Sequence, residues 1–221
     1  MSDTSHSFIT ETPLGKPLDG KDLHATDDKN QIAAYFDQRA SDWDDHQHPQ
    51  AEIIQQILDN AEITAGKRIL DIACGTGIMF PYYLERGVAD ITGVDISAGM
   101  LDVARSKFAD NSSIHLLQAD AEKDAIGTGY DVIMIYNAWP HFLEPQKFID
   151  KLSTLLVPGG ILTVAHGLGR ETLNGVHQRG AKGVSNRLIS STELANMFDQ
   201  DLLVYKVVDN AHMYQVCGMK N

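Results

Sequence analysis

The sequence predicts an α/β fold, a three-layer α-β-α sandwich around a mostly parallel sheet. Three observations carry this expectation. The run Lys67–Phe80 reads as strand, small-residue loop and helix, the opening unit of a doubly wound domain. A second strand pattern, Asp90–Ile96, ends in an acid 24 residues past the acid of the first, Asp95 against Asp71. Tyr130–Asn137 is a nearly continuous apolar run, the mark of a central parallel strand buried on both faces.

The elements follow in order. Residues 1–27 mix Ser, Thr, Pro, Gly and Asp with little periodicity and are expected to be a flexible arm. From Asp28 to about Trp43 the pattern is helical, with Ile32, Tyr35, Phe36 and Arg39 on one face and Asp27 or Asp28 available as cap. A second helix over 50–60 carries Ile53, Ile54, Ile57 and Leu58 on one face. Residues 28–62 thus form N-terminal helices ahead of a domain spanning 63–221. Strand one is followed by a loop through Gly77 and a helix over Ile78–Arg86, ended by Gly87. Ser97 is placed to cap the helix after strand two. Ser113–Asp120 is the third strand, Tyr130–Asn137 the fourth, and Glu144–Leu156 the next helix. Val157-Pro158-Gly159-Gly160 reads as a turn before strand five, Ile161–Ala165. Residues 167–190 form a long connection, expected to be an insertion on the substrate side. Ser190 or Ser191 caps a helix to Phe198, and Leu202–Val208 and His212–Met219 are the last strands.

The loop chemistry narrows the ligand. A dinucleotide fingerprint requires a third glycine where Phe80 stands, which argues against a nicotinamide cofactor. An acid at the strand end beside a helix N-terminus suits a ligand bearing both an ammonium and a carboxylate. Asp71-Ile72-Ala73-Cys74-Gly75-Thr76-Gly77 resembles motif I of the class I S-adenosylmethionine (SAM)-dependent methyltransferases, with Ala73 in place of the usual first loop glycine. Gly93-x-Asp95-x-Ser97, Asp120-Ala121-Glu122 and Leu156-Val157-Pro158-Gly159-Gly160-Ile161-Leu162 resemble later motifs of that family in the same order. The resemblance covers about residues 30–165 and implies a seven-stranded sheet of order 3-2-1-4-5-7-6 with strand 7 antiparallel.

The resemblance also implies residue roles. Asp71, Ala73, Gly75 and Gly77 face the amino-acid end of SAM, Asp95 the ribose, and Met100, Asp120 and Ala121 the adenine, with Ile96 also expected at the cofactor. Asn137 ends strand four at the carboxyl edge of the sheet, where ligands bind in open α/β folds. The segment around Tyr35 and Arg39 resembles the helix that covers the cofactor in small-molecule methyltransferases. Tyr35 is therefore expected at the cofactor and Arg39 at the substrate. The product is S-adenosyl-L-homocysteine (SAH).

An acceptor hydroxyl or amine requires a base. His141 and His166 stand at strand ends, and His177 lies within reach from the insertion. Trp139, Arg170, Glu171 and Asn174 are the candidate acceptor ligands. No Asn-Pro-Pro-Tyr quartet follows strand four, which favours a small-molecule acceptor. Two alternatives stay open: a divalent metal held by His141, His166 and His177 with Glu171 or His46, and a non-catalytic SAM-binding regulator. His46-x-His48 alone is read as a solvent-facing loop.

Composition sets outer bounds. The 221 residues carry a net charge of −12, which disfavours nucleic-acid and anionic-membrane partners. Cys74 and Cys217 lack metal-ligand spacing and read as reduced and buried. With no signal peptide or membrane-length apolar run, the expectation is a cytoplasmic monomer or homodimer.

Overall fold

The computed structural model describes residues 29–180 and 185–221, the side chains of 176–180 excepted. The arm expected over residues 1–27 lies outside the described residues, as do its caps Asp27 and Asp28. Seven strands form one sheet: β1 Arg68–Ile72, β2 Asp90–Asp95, β3 Ile114–Gln118, β4 Tyr130–Tyr136, β5 Leu156–His166, β6 Leu202–Asp209 and β7 Tyr214–Lys220. Their order is β3-β2-β1-β4-β5-β7-β6. The first five are parallel, and β7 runs antiparallel to both β5 and β6, as expected.

Helices α1 Lys29–Asp37, α2 Ala51–Asn60, α3 Phe80–Glu85, α4 Ala98–Lys107, α5 Pro145–Leu155, α6 Arg170–Gly180 and α7 Ser191–Phe198 complete the chain. The apolar faces explain the layers. Ile54, Ile57 and Leu58 of α2 join Phe80 and Tyr83 of α3 and Leu101 of α4 in a core on one face of the sheet. Phe148, Ile149 and Leu152 of α5 pack with Leu194 and Phe198 of α7 on the other. Central strand β4 is buried at every position except Asp131, as its apolar run predicts.

Three boundaries differ from expectation, each for a physical reason. Helix α1 stops at Asp37 and gives way to 3-10 turns at Ala40–Asp42 and Asp44–His46. The chain turns where it meets α4: a Cβ on Gly99 would lie 3.2 Å from both Asp37 Cα and Ala40 Cβ. Helix α3 starts at Phe80, because Gly75 and Gly77 at φ 54° and 80° spend the preceding residues in turns. Strand β5 begins at Leu156, since Leu156 already pairs with Tyr130, and the expected Pro-Gly-Gly turn is an irregularity inside the strand. Finally, the long connection 167–190 carries a helix of its own, Arg170–Gly180.

The N-terminal helices also divide. Helix α2 belongs to the layer on the sheet face, tied to β7 through Asn60 and Gln215 at 2.9 Å. Only 29–46 lies at the carboxyl edge, against α4 and the motif I loop.

Candidate cofactor and acceptor site

Strand β1 delivers Asp71 to the carboxyl edge, and the chain then turns through Ala73, which holds a left-handed φ of 56°. That conformation costs an L-residue about 1 kcal/mol relative to glycine, so Ala73 holds a strain that a glycine there would not. The Cys74 amide donates to Val94 O at 3.1 Å, seating the loop on β2. A Cβ on Gly75 would meet nothing within 4 Å, so the loop presents bare backbone to open space. At Gly77 the reason for glycine differs: a Cβ would strike Phe80 and Phe108 at 2.7 Å. Phe80 thus fills the volume between helix and strand that a third glycine would leave for close packing, and Gly93 of β2 makes room for its ring.

The two strand-end acids are satisfied differently. Asp95 accepts from the Gly75 amide at 2.8 Å and the Ser97 amide at 2.9 Å. Burial raises its pKa and these amides oppose the shift. Its carboxylate has lone pairs beyond those two bonds. Asp71 is 2% exposed, and its Oδ2 has no hydrogen-bond partner among the described residues. Burial pushes its pKa up to about 8; the Tyr83 side chain opposes this and the Asp95 charge adds to it. Residue type alone does not mark Tyr83. Its neighbour Tyr82 has the same chemistry, and only the packing of α3 shows which ring faces Asp71.

On β3's exit, Asp120 Oδ1 accepts from the Glu122 amide at 3.1 Å in a local turn, and Ala121 is buried. Met100 is buried at the start of α4, whose cap is the Ser97 side chain, as expected; Ile96 is half-buried.

Three acidic ties hold residues 29–46 over this edge. Lys29 forms an ion pair with Glu122, whose other oxygen accepts from the Leu143 and Glu144 amides at 2.9 Å. Asp37 Oδ1 accepts from Ser97 Oγ at 2.6 Å and the Gly99 amide at 2.9 Å. Asp44 accepts from Thr76 Oγ1 at 2.5 Å and pairs with Lys107 at 2.7 Å. None of Lys29, Asp37, Asp44, Thr76 or Glu122 was singled out from sequence as part of such a tie. Acids following an amphipathic helix are a weak signal for it. Within the segment, the Arg39 guanidinium lies 3.7 Å from the Tyr35 ring centroid and donates to Tyr35 O at 3.0 Å. The Tyr35 hydroxyl and Arg39 Nε are buried without hydrogen-bond partners among the described residues.

The acceptor-side residues divide as well. Asn137, at φ 56°, accepts from the Gly167 amide at 3.0 Å and so joins the ends of β4 and β5. Trp139 is buried beside Phe142. His141 is half-buried, edge-on to Phe36 with centroids 5.2 Å apart, and its Nδ1 lies 3.4 Å from Ser185 Oγ. His166 is fully enclosed against the Tyr214 ring. Arg170 pairs with Asp209 at 3.2 Å, not with Glu171, which is exposed. Asn174 is buried and both ends of its amide bond the Leu188 backbone, at 3.1 and 2.8 Å, which fixes the amide within the fold. The His177 side chain lies outside the described residues. His46 bonds Asp42 O within its own turn at 2.8 Å. Among the described residues no group of three His, Cys, Asp or Glu is placed to hold a metal ion. Cys74 and Cys217 are free and buried, and burial pushes both thiols up. No helix among the described residues is long and apolar enough to cross a membrane.

Comparison with known proteins agrees with this geometry. Residues 70–164 match the family model described as a methyltransferase domain. A malonyl-[acyl-carrier protein] O-methyltransferase from Acetivibrio thermocellus is 28% identical over 68% of this chain and 53% of its own length. A ubiquinone biosynthesis O-methyltransferase from Pectobacterium atrosepticum is 34% identical over 47% of this chain and 44% of its own. The chain thus spans about half the length of these curated relatives. Among solved structures, N-methyltransferase NodS from Bradyrhizobium japonicum, in complex with SAH, superposes with a TM-score of 0.68 at 14% identity, over 86% of this chain and 98% of that one. The fold is the one shared with such methyltransferase structures, a Rossmann-like α/β fold with sheet order 3-2-1-4-5-7-6.

Proposed function

We propose that this chain, whose residues 70–164 match the methyltransferase-domain model, transfers a methyl group from SAM to a small-molecule acceptor. The observation that carries the reading is Asp71: a buried carboxyl with an orphaned oxygen, beside a loop whose Gly75 faces open space. A buried carboxyl oxygen without a donor is costly, and a ligand ammonium would satisfy it. The residues present therefore fit the cofactor. Asp71 would hold its ammonium, the Gly75–Gly77 loop its amino-acid end, the remaining lone pairs of Asp95 its ribose hydroxyls, and Asp120, Ala121, Ile96 and Met100 its adenine. Tyr35 and Arg39, from the segment above, would close the site.

Bound SAM supplies a methyl group activated by its sulfonium charge. The chain's own part is orientation and exclusion of water. Residues 29–46 cover the edge, and Phe36 packs against His141. His141, in the 3-10 turn Trp139–His141 that follows β4, has exposed surface, and His166, the last residue of β5, has none. His141 is therefore the better proton acceptor for an acceptor hydroxyl or amine. Trp139, two residues before His141, and Arg170 and Glu171, at the start of α6 just past β5, are the further candidates for acceptor contact. The names of the relatives, which act on a carrier-bound malonyl group and in ubiquinone biosynthesis, support a small acceptor over nucleic acid, as does the charge of −12.

Calorimetric titration with SAM and SAH beside Asp95→Ala tests the reading. The expected result is micromolar binding that the substitution weakens severely, with no binding of NADH. An absence of SAM and SAH binding would overturn it. Binding without SAH production across an acceptor panel would favour the regulatory alternative.

A further inference from the structure

The neighbours of Asp71 decide its charge. It sits on β1 between β2 and β4. Helix α3 offers Tyr83, β2 offers Asp95, and the loop offers Cys74. Its register partner on β4 is Met134, which is apolar and fully buried. None of these groups is a cation. Burial pushes the Tyr83 phenol and the Cys74 thiol up, so both stay neutral. Among the described residues, the charge that bears on it is Asp95, which has the same sign and is already met by the Gly75 and Ser97 amides. An ionised Asp71 would thus stand buried beside a second carboxylate with no donor on Oδ2. Such a group keeps its proton.

We propose that Asp71 is a proton-linked contact for the ligand: a neutral carboxylic acid in the empty protein that surrenders its proton when an ammonium group binds against it. The inference rests on the reading above, that the ligand of this edge carries an amino-acid ammonium. The balance is simple. The carboxyl O–H bond breaks, the proton passes to solvent, and the carboxylate stays behind, paired with the ligand cation. The pKa of about 8 places the exchange across neutral pH. Affinity for the ammonium ligand then rises about tenfold per pH unit below that value and levels above it. A ligand lacking the ammonium has no reason to expel the proton.

The test is calorimetry of the full chain with SAH at pH 7 in two buffers of very different ionisation enthalpy, phosphate and Tris. The expected result is a buffer-dependent heat corresponding to release of nearly one proton per site. Asp71→Asn should bind SAH more weakly and with buffer-independent heat, and adenosine should bind the wild type without proton release. Tight SAH binding with no buffer dependence in the wild type would overturn the proposal while leaving the cofactor reading intact. Failure of SAH and SAM to bind at all would sink both. A second measurement needs no ligand. Carbon-13 NMR of the aspartate carboxyls, with Asp71 assigned by its loss in Asp71→Asn, should show a resonance titrating near 8. Titration in the ordinary carboxylate range would overturn the proposal independently.

Discussion

Asp37, at the last residue of α1, accepts the hydroxyl hydrogen bond of Ser97 at 2.6 Å, across sixty residues of sequence. Ser97 is itself the cap of α4, so the N-terminal segment is fastened to the start of a helix in the core layer. Removing Asp37 leaves the Gly99 amide and the Ser97 hydroxyl without this acceptor. Asp37→Ala should cost about 1–2 kcal/mol. Hydrogen exchange should rise across 29–46 and the first turn of α4, and not in β4. An unchanged exchange pattern would show that the segment is held by its aromatic contacts instead.

Asp95 has two tasks, pinning the Gly75 amide and, on the proposed function, receiving the ribose. Asp95→Asn keeps the shape but weakens two charge-assisted bonds, whereas Asp95→Ala removes both. SAH affinity should fall about tenfold to a hundredfold in the alanine variant, with a smaller loss in the asparagine variant. Titration of both checks the order, and equal affinity in wild type and alanine variant would refute the role.

Asp71 should make the empty protein less stable as pH rises. Its folded pKa is raised from 3.8 to about 8, so the folded state binds more protons than the unfolded state between those values. Stability therefore falls with rising pH across that window. Asp71→Asn removes the effect. The variant should be more stable than wild type by a few kcal/mol near pH 8, and the gap should shrink towards pH 4. Thermal melts at both pH values, without ligand, decide it; a gap that widens on acidification would contradict the assignment.

Glycine is required at two positions for different reasons, and alanine separates them. At Gly93 a Cβ would stand 2.7 Å from Phe80 Cζ and 2.9 Å from Cys74 Sγ, all buried. Gly93→Ala should cost about 1–3 kcal/mol, partly recovered by Phe80→Leu. At Gly75 there is room, but φ is 54°. Gly75→Ala should cost about 1 kcal/mol in stability and more in SAH affinity. A melt and a titration on each variant read the two effects apart.

What the sequence reveals is what neighbours in sequence decide. The β4 run, the Ser97 and Ser190 caps and the acid-ended strands β1 and β2 are all local patterns, and each appears where expected. The end of α1 does not, because it is set by Gly99 and Ser97 far along the chain. Asn174 shows the same limit. It stands among histidine, arginine and glutamate in a polar stretch, which suggests ligand contact. The fold turns its amide onto Leu188, fourteen residues on. Arg170 likewise takes Asp209, from β6, over its sequence neighbour Glu171. Nothing in residue type shows which polar side chain will close on backbone and which will face a cleft.

The placement of β7 has a consequence for how the molecule is made. Strand β6 leaves the ribosome first, yet its one neighbour in the sheet is β7, which also supplies the outer partner of β5. Until Tyr214–Lys220 has emerged, β5 has an unpaired flank and β6 has nowhere to dock. A nascent or truncated chain ending before residue 214 therefore displays two open strand edges. Leu203 and Val207, already exposed on β6, would add apolar side chains to one of them. Premature termination in this stretch should yield a sticky product fit for chaperone capture or proteolysis, although the motif I loop would be fully synthesised.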